Sequence, residues 1–199
     1  FVQVLVNGQI ETSVAGVPAS LVRGIRVTGG DGANLINLSG VVSSGFTSLT
    51  SVSVDGGAGD DTITGSLNID DTLLGGDGND IITGLDGANR IDGGDGNDII
   101  NGGLANDTLL GGDGNDDINA GDGDDSVIGG TGNDTITAGA GKDSIDAGAG
   151  TDSIVMSTNL VSTDTISGGD GTDTLTATVA ANYSGTITGV EVLSLNFTA

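Results

Sequence analysis

A period of nine residues runs through the middle of the chain and leaves few folds open to it. From residue 75 to residue 155 the sequence divides without a gap into nine nonapeptides, the first being Gly75-Gly76-Asp77-Gly78-Asn79-Asp80-Ile81-Ile82-Thr83. The sixth position reads Asp80, Asn89, Asp98, Asp107, Asp116, Asp125, Asp134, Asp143 and Asp152. The eighth reads Ile82, Ile91, Ile100, Leu109, Ile118, Val127, Ile136, Ile145 and Ile154. Gly fills position two in every copy but one (Leu85) and position four in every copy but one (Ala105). Less regular copies flank this block: 56–64 with Asp61 and Ile63, 65–74 with one extra residue, 156–167 with three extra residues before Asp164 and Ile166, and 168–176 with Asp173 and Leu175. An isolated copy at 29–37 carries Asn34 and Ile36 in the two key positions. Self-similarity at so short a fixed period is the mark of a stacked repeat architecture.

Each part of the nonapeptide has a mechanical reading. Gly at positions one, two and four admits backbone with positive φ and lets neighbouring chains approach closely, so the first six residues read as a tight turn. The last three, such as Thr135-Ile136-Thr137, read as a short strand whose middle side chain alone points inward. Two nonapeptides then make one coil of turn, strand, turn and strand. Stacked coils predict two parallel sheets with a column of turns on either side: an all-β fold, a parallel β-roll or right-handed β-solenoid.

Composition sharpens the reading. With 39 Gly among 199 residues and a formal charge of −24, a disordered low-complexity chain is the bland alternative, but 35% apolar residues in strict phase argue for order. Four Lys and Arg face 28 acidic residues, of which only Glu11 and Glu191 are Glu. Asp suits turns where Glu suits helices, so the charge belongs in the turns. A polyanion of this size repels nucleic acid and anionic lipid. The lack of His and Cys excludes zinc, haem and iron–sulfur sites, Ser-His-Asp and Cys-His catalysis, and disulfides. No apolar run approaches the ~20 residues of a membrane span. The opening Phe1-Val2-Gln3-Val4 has neither Met nor a charged n-region, so the chain is expected to be a piece of a longer protein.

Stacking at the ~4.8 Å strand spacing sets position-six carboxylates of alternate copies beside one another. One column holds Asp80, Asp98, Asp116, Asp134 and Asp152, and the other Asn89, Asp107, Asp125 and Asp143. Left bare, each neighbouring pair of carboxylates repels by ~3.5 kcal/mol at an effective dielectric of ~20. One buried Ile or Leu per repeat contributes about 1.5–3 kcal/mol, and a Gly-rich chain has a large ordering entropy to overcome. The apolar contribution loses, so something positive must occupy the columns. Carboxylates with backbone carbonyls form a hard oxygen donor set that selects Ca²⁺ over transition metals and over Mg²⁺. Asp113-Gly114-Asn115-Asp116 has the look of an EF-hand opening, but the terminal bidentate Glu of that loop is missing throughout.

The pattern G-G-x-G-x-D-x-U-x resembles the RTX, or haemolysin-type, calcium-binding nonapeptide over residues 56–176. The resemblance implies that each Ca²⁺ lies between two turns of one column. Carbonyls at positions two and four and the Asp of one copy would hold it from one side, and carbonyls at positions one and three and the Asp of the second copy along from the other. Carried over, one set is Gly76, Gly78 and Asp80 with Gly93, Asp95 and Asp98, followed by Gly94, Gly96 and Asp98 with Gly111, Asp113 and Asp116. The column continues with Gly112, Gly114 and Asp116 facing Gly129, Thr131 and Asp134, then Gly130, Gly132 and Asp134 facing Ala147, Ala149 and Asp152. In the other column Gly103, Ala105 and Asp107 face Ala120, Asp122 and Asp125, and Gly121, Gly123 and Asp125 face Ala138, Ala140 and Asp143. Interior aspartates would each bridge two ions, giving about one Ca²⁺ per interior repeat, or ~8. Asp61 and Asp173 extend the set across irregular spacings, to Asp80 and from Asp152, that exceed two nonapeptides, so a bulged loop is needed there. With Asn for Asp at position 89 and Leu for Gly at 85, the sites pairing Asn89 with Asp71 and with Asp107 are expected to be weak or empty.

The flanks follow a wider rhythm. Ile25-Arg26-Val27-Thr28-Gly29-Gly30 matches Val52-Ser53-Val54-Asp55-Gly56-Gly57 at an offset of three nonapeptides, and the segment from Phe46 to Val54 matches that from Ile187 to Leu195. Residues 1–55 and 177–199 are therefore expected to form wider β-helical coils that cap the roll over 56–176, covering strand edges that would otherwise be bare. Val6-Asn7-Gly8-Gln9 reads as a hairpin turn. Arg23, Arg26, Arg90 and Lys142 are scattered and read as solvated or locally paired, and an outer apolar strip is expected where Ile81 lies beside Ile99 and Leu110 beside Ile128.

Three functions fit such a chain. The first is a calcium-dependent structural or adhesive module of a secreted or cell-surface bacterial protein. The resemblance implies export as an unfolded chain by one-step (type I) secretion, folding in external calcium, and other segments of a surface protein or a polysaccharide as partners. The second is a non-catalytic accessory part of a secreted protease, lipase or polysaccharide-modifying enzyme; no catalytic residue is expected within this sequence. The third, an ice-binding roll, is poorly served, because Thr131 and Asn133 have no Thr–Asn pair in the copies one coil away.

Overall fold

The computed structural model describes residues 2–5, 19–41, 46–160, 163–179 and 183–197, and the expected turn at Val6-Asn7-Gly8-Gln9 lies outside them. Its strands are β1 (Val2–Leu5), β2 (Gly24–Thr28), β3 (Leu35–Asn37), β4 (Ser51–Ala58), β5 (Thr62–Thr64), β6 (Asp71–Asp77), β7 (Ile81–Asp86), β8 (Arg90–Asp95), β9 (Ile99–Leu104) and β10 (Thr108–Asp113). They continue with β11 (Asp117–Asp122), β12 (Ser126–Thr131), β13 (Thr135–Ala140), β14 (Ser144–Gly150), β15 (Ser153–Leu160), β16 (Thr165–Gly171), β17 (Thr174–Val179), β18 (Thr186–Thr188) and β19 (Val192–Phe197). Among the described residues the one helical piece is a 3-10 turn, Ala19–Leu21, and no helix is long and apolar enough to cross a membrane.

From β2 onward strands alternate between two sheets, as a two-repeat coil requires. Sheet one runs β1-β2-β4-β6-β8-β10-β12-β14-β16-β18 and sheet two β3-β5-β7-β9-β11-β13-β15-β17-β19, with parallel pairing throughout. This is a β-solenoid. In its middle the register is one coil of two nonapeptides: Leu109 pairs with Val127, and Ile118 with Ile136. At the N-terminal end it widens to three, Ile25 pairing with Val52 and Leu35 with Thr62, so the sequence match at that offset is a strand register. At the other end β16 meets β18 in a slightly longer coil (Thr165 with Thr186), and β17 meets β19 at the regular spacing (Thr174 with Val192). Two of the three inserted residues of copy 156–167 are taken up by a bulge in β15, between Met156 (paired with Ala177) and Asn159 (paired with Thr178). The match between 46–54 and 187–195 is different in kind: β4 belongs to sheet one and β19 to sheet two, so these are like strands at opposite ends and not partners.

Strands reach further into the nonapeptide than the sequence reading placed them. In β12, for instance, pairing runs from position seven (Ser126) through position three of the next copy (Thr131), leaving only positions four to six as the turn. Gly94 at position two bends the chain within the ladder and Gly96 at position four opens the turn, at φ of 113° and 137°. There is also no room for a side chain: a methyl on Gly94 would overlap the carbonyl oxygen of Gly76, and one on Gly96 that of Gly78. The exceptions Leu85 and Ala105 hold φ of 74° and 76°, in the left-handed region that costs an ordinary residue about 1–3 kcal/mol.

The core is one aliphatic residue thick. The position-eight side chains from Ile82 to Ile154 are at most 2% exposed, and Ala120, Ala138 and Ala147 at position one are fully buried beside them. Outside, the pairs Ile81–Ile99 and Leu110–Ile128 do lie side by side, but on opposite sheets, so they form no common strip. Arg90 lies 3.8 Å from Asp92 on the surface. The turns of one column carry a ladder that the nonapeptide pattern alone does not announce. Asn79 donates its main-chain N–H to Asp60, Asn97 to Asn79, Asn115 to Asn97, Asn133 to Asn115 and Thr151 to Asn133, each to the side-chain oxygen one coil back.

Substituting Gly96→Ala is expected to destabilise the folded roll by about 1–3 kcal/mol, since it adds both strain and a clash. Gly32→Ala, where a methyl meets nothing within 4 Å, is expected to change stability by no more than about 0.5 kcal/mol. Thermal unfolding in saturating calcium checks both.

Candidate functional site

Position six turns its carboxylates inward. Twelve aspartates among the described residues (61, 71, 80, 98, 107, 116, 125, 134, 143, 152, 164 and 173) are at most 2% exposed, at the two edges of the aliphatic core. Burial of this kind is tolerated only for groups that are paired or neutralised.

The columns are stitched by one repeated hydrogen bond, in which the main-chain N–H of a position-six residue donates to Oδ1 of its counterpart in the next coil. In column one it runs from Asn34 to Asp61, then through Asp80, Asp98, Asp116, Asp134, Asp152 and Asp173, at 2.6–2.9 Å. It closes at Glu191, whose Oε2 accepts from the Asp173 N–H at 2.8 Å. In column two it runs from Asp71 through Asn89, Asp107, Asp125 and Asp143 to Asp164, at 2.7–3.1 Å. The irregular spacings thus leave the columns intact: Asp61 still reaches Asp80, and Asp152 reaches Asp173. Glu191 was absent from the sequence-derived set, although its position, one regular coil beyond Asp173, was the available signal. At the start of column two Ser66 occupies both oxygens of Asp71, its N–H on Oδ2 and its hydroxyl on Oδ1.

The second carboxylate oxygen is a different matter. Oδ2 of Asp61, Asp80, Asp98, Asp107, Asp116, Asp125, Asp134, Asp143, Asp152 and Asp173 is buried and accepts no hydrogen bond. It points at position one of its own repeat, against the position-one carbonyl of the next coil. A methyl on Gly93 would overlap both Asp98 Oδ2 and the Gly111 oxygen, and one on Gly111 both Asp116 Oδ2 and the Gly129 oxygen. The same convergence brings Asp80 Oδ2 to the Gly93 oxygen, Asp134 Oδ2 to the Ala147 oxygen and Asp107 Oδ2 to the Ala120 oxygen.

The remaining carbonyls of the sequence-derived set divide into two kinds. Those at positions two and four, including Gly76, Gly78, Gly94, Gly96, Gly103, Gly112, Gly114, Gly121, Gly123, Gly130, Gly132 and Ala105, face glycine α-carbons of a neighbouring coil. Those at position three are engaged: Asp95, Asp113, Thr131, Ala140 and Ala149 accept N–H groups of Gly78, Gly96, Gly114, Gly123 and Gly132 at 2.7–2.8 Å, leaving one lone pair each. In column two Asp122 also holds position three, paired with Ala140, while Ala138 holds position one and is fully buried. No three carboxylates converge among the described residues, so a donor set here is at most a pair of carboxylates completed by main-chain oxygens. Such a set fits a hard cation of flexible coordination.

Electrostatics agree. Burial pushes the carboxyls of Asp98 and Asp143 up to about 6, and those of Asp107 and Asp116 up to about 7. The N–H of the preceding coil opposes the rise and neighbouring aspartates add to it. Asp80, Asp125, Asp134 and Asp152 are raised for the same first reason.

A family model described as the RTX calcium-binding nonapeptide repeat (4 copies) matches residues 53–68, 66–100, 92–127, 119–154 and 162–178, more than half of the chain. The chain belongs to this family. Comparison with curated proteins found no match. In this RTX roll the family match begins where the period narrows, so Asn34 and its wide coil lie outside it.

The raised carboxyls make the metal-free RTX roll acid-stabilised. Folded, several hold their protons up to about pH 6–7, whereas an unfolded chain releases them near the ordinary 3.8. Stability is thus fully present below about pH 4 and lost as the pH rises through about 6–7. In chelator, far-UV circular dichroism is expected to gain β-signal on acidification from about pH 7 to about pH 4 and to lose it on neutralisation.

Proposed function

We propose that this RTX roll is a calcium-dependent structural module of a secreted or cell-surface bacterial protein, one that orders on meeting external calcium and holds adjoining segments or surface ligands in place. The observation that carries this reading is the set of ten buried Oδ2 atoms without a hydrogen bond, repeated coil after coil beside main-chain carbonyls. The calcium sets we assign are those between successive coils of each column, from Asp61 with Asp80 through Asp152 with Asp173, and from Asp107 with Asp125 through Asp125 with Asp143. Bound there, calcium supplies the positive charge that the four basic residues do not bring.

The chain's own residues supply the rest. Glycines at positions two and four let the carbonyls of one coil close onto the α-carbons of the next, the Oδ1 ladder fixes the spacing, and position eight seals the interior. Residues 1–55 and 177–199 act in this proposal as caps. Extracellular calcium modules work with sites of order 10⁻⁴–10⁻³ M, weak enough to stay empty before export. No residue within the roll has a catalytic role in this reading, and the turn columns are fully accounted for by ion binding and register.

Two substitutions test it. Asp116 borders a cation set on either side, whereas Asp61 borders one with Asp80 and meets Asn34 on the other. Asp116→Ala is expected to raise the calcium midpoint of folding roughly tenfold and Asp61→Ala by markedly less, as read by far-UV dichroism during calcium titration. Equal midpoints for Asp116→Ala and the wild type would contradict the assignment.

A further inference from the structure

Column one begins with an amide where every later turn has a carboxylate. Asn34 is the sixth residue of the isolated copy at 29–37, is 9% exposed, and meets Asp61 of the next coil by the ladder bond from its N–H to Oδ1 at 2.6 Å. Its side-chain Nδ2 donates to Asp61 Oδ1 at 3.0 Å and to the Gly32 oxygen, and lies 3.5 Å from the oxygens of Gly30 and Gly56. Gly30 and Gly32 are positions two and four of its own copy, and Gly56 is position one of the next. These are the kinds of atom assigned to calcium in the later turns, and here they converge on a nitrogen.

We propose that the Asn34 amide is a built-in replacement for the cation, so that the first turn of column one closes without calcium while the turns after it require an ion. The inference rests on the calcium reading given above. All four neighbours of Nδ2 are acceptors, so the opposite orientation of the amide would set oxygen against oxygen, and the nitrogen is held inward. At ten later turns of the two columns the inward atom is an Oδ2 without a hydrogen bond; at Asn34 it is a donor with partners. Replacing Asp by Asn is not sufficient for this. Asn89, 2% exposed in column two, also turns Nδ2 inward, yet that nitrogen makes no hydrogen bond. The oxygen cage around Asn34, not the amide alone, makes the substitute work. Its effect is to give the stack one turn whose closure does not depend on ion concentration, at the wide N-terminal coil.

Native mass spectrometry of the full chain in saturating calcium counts the ions bound. Asn34→Asp restores a carboxylate to the cage and is expected to bind one calcium more than the wild type. Asn34→Ala is expected to bind as many as the wild type, because there is no ion at that turn to lose. An unchanged count for Asn34→Asp, or a count one lower for Asn34→Ala, would overturn the proposal; the second result would make Asn34 a calcium ligand through Oδ1. If Asn34→Asp does not fold, the Asn34→Ala count decides alone. Asp116→Ala, run in parallel, separates this outcome from failure of the calcium reading: a wild-type chain with no bound calcium removes that reading itself, whereas a normal wild-type count that falls in Asp116→Ala leaves it standing.

Discussion

Like charges stacked inside a nearly empty core are the constraint on which this molecule turns. A parallel stack with one aliphatic residue per strand buries Ile82, Ile100 and Ile118 in one sheet and Ile91, Leu109 and Val127 in the other, with little else between them. At the edges of that thin layer the same stacking places Asp98, Asp116 and Asp134 one coil apart, each with an inward oxygen that no hydrogen bond reaches. The spacing that makes the sheets is therefore the spacing that concentrates the charge. A larger core could tolerate the repulsion, but this one cannot enlarge without abandoning the nine-residue period.

Two ladders hold the turns against that repulsion, and they run in opposite senses. The buried one takes N–H groups from the coil before, as Asp116 does from Asp98. The exposed one takes them from the coil after, as Asn97 does from Asn115. In column one both are continuous through the regular block. In column two the exposed ladder is broken at Ala88, which has no side-chain acceptor for Asn106, and the buried one passes through the neutral Asn89. The two edges of the roll are thus unequal: the departures at Leu85, Asn89 and Ala105 all fall on the same edge.

Much of this was legible in the residues. The period dictated two sheets and a coil of two repeats, and the match of Ile25 with Val52 at the wider offset turned out to be a register between β2 and β4. Position eight as the core followed from strand alternation. Other features were hidden for physical reasons. The Gly-Gly of positions one and two looks like turn from propensity alone, yet the backbone there stays in the strand because pairing needs no side chain. Ile81–Ile99 and Leu110–Ile128 were read as one strip, although odd and even repeats must fall on opposite sheets, and parity would have separated them. The roles of Ser66 and Asn34 depend on an insertion and a wide coil whose paths no short period encodes, whereas Glu191 lies at the regular spacing from Asp173 and was missed because it is not an Asp.

Hydrogen–deuterium exchange on the metal-stripped chain at neutral pH bears most directly on whether a cation is structural here. The account requires the amides of the inward strands, those around Ile100, Ile118 and Ile136 above all, to exchange as fast as in an unstructured peptide and to become protected when calcium is added. Slow exchange at those amides with every divalent ion removed would contradict it.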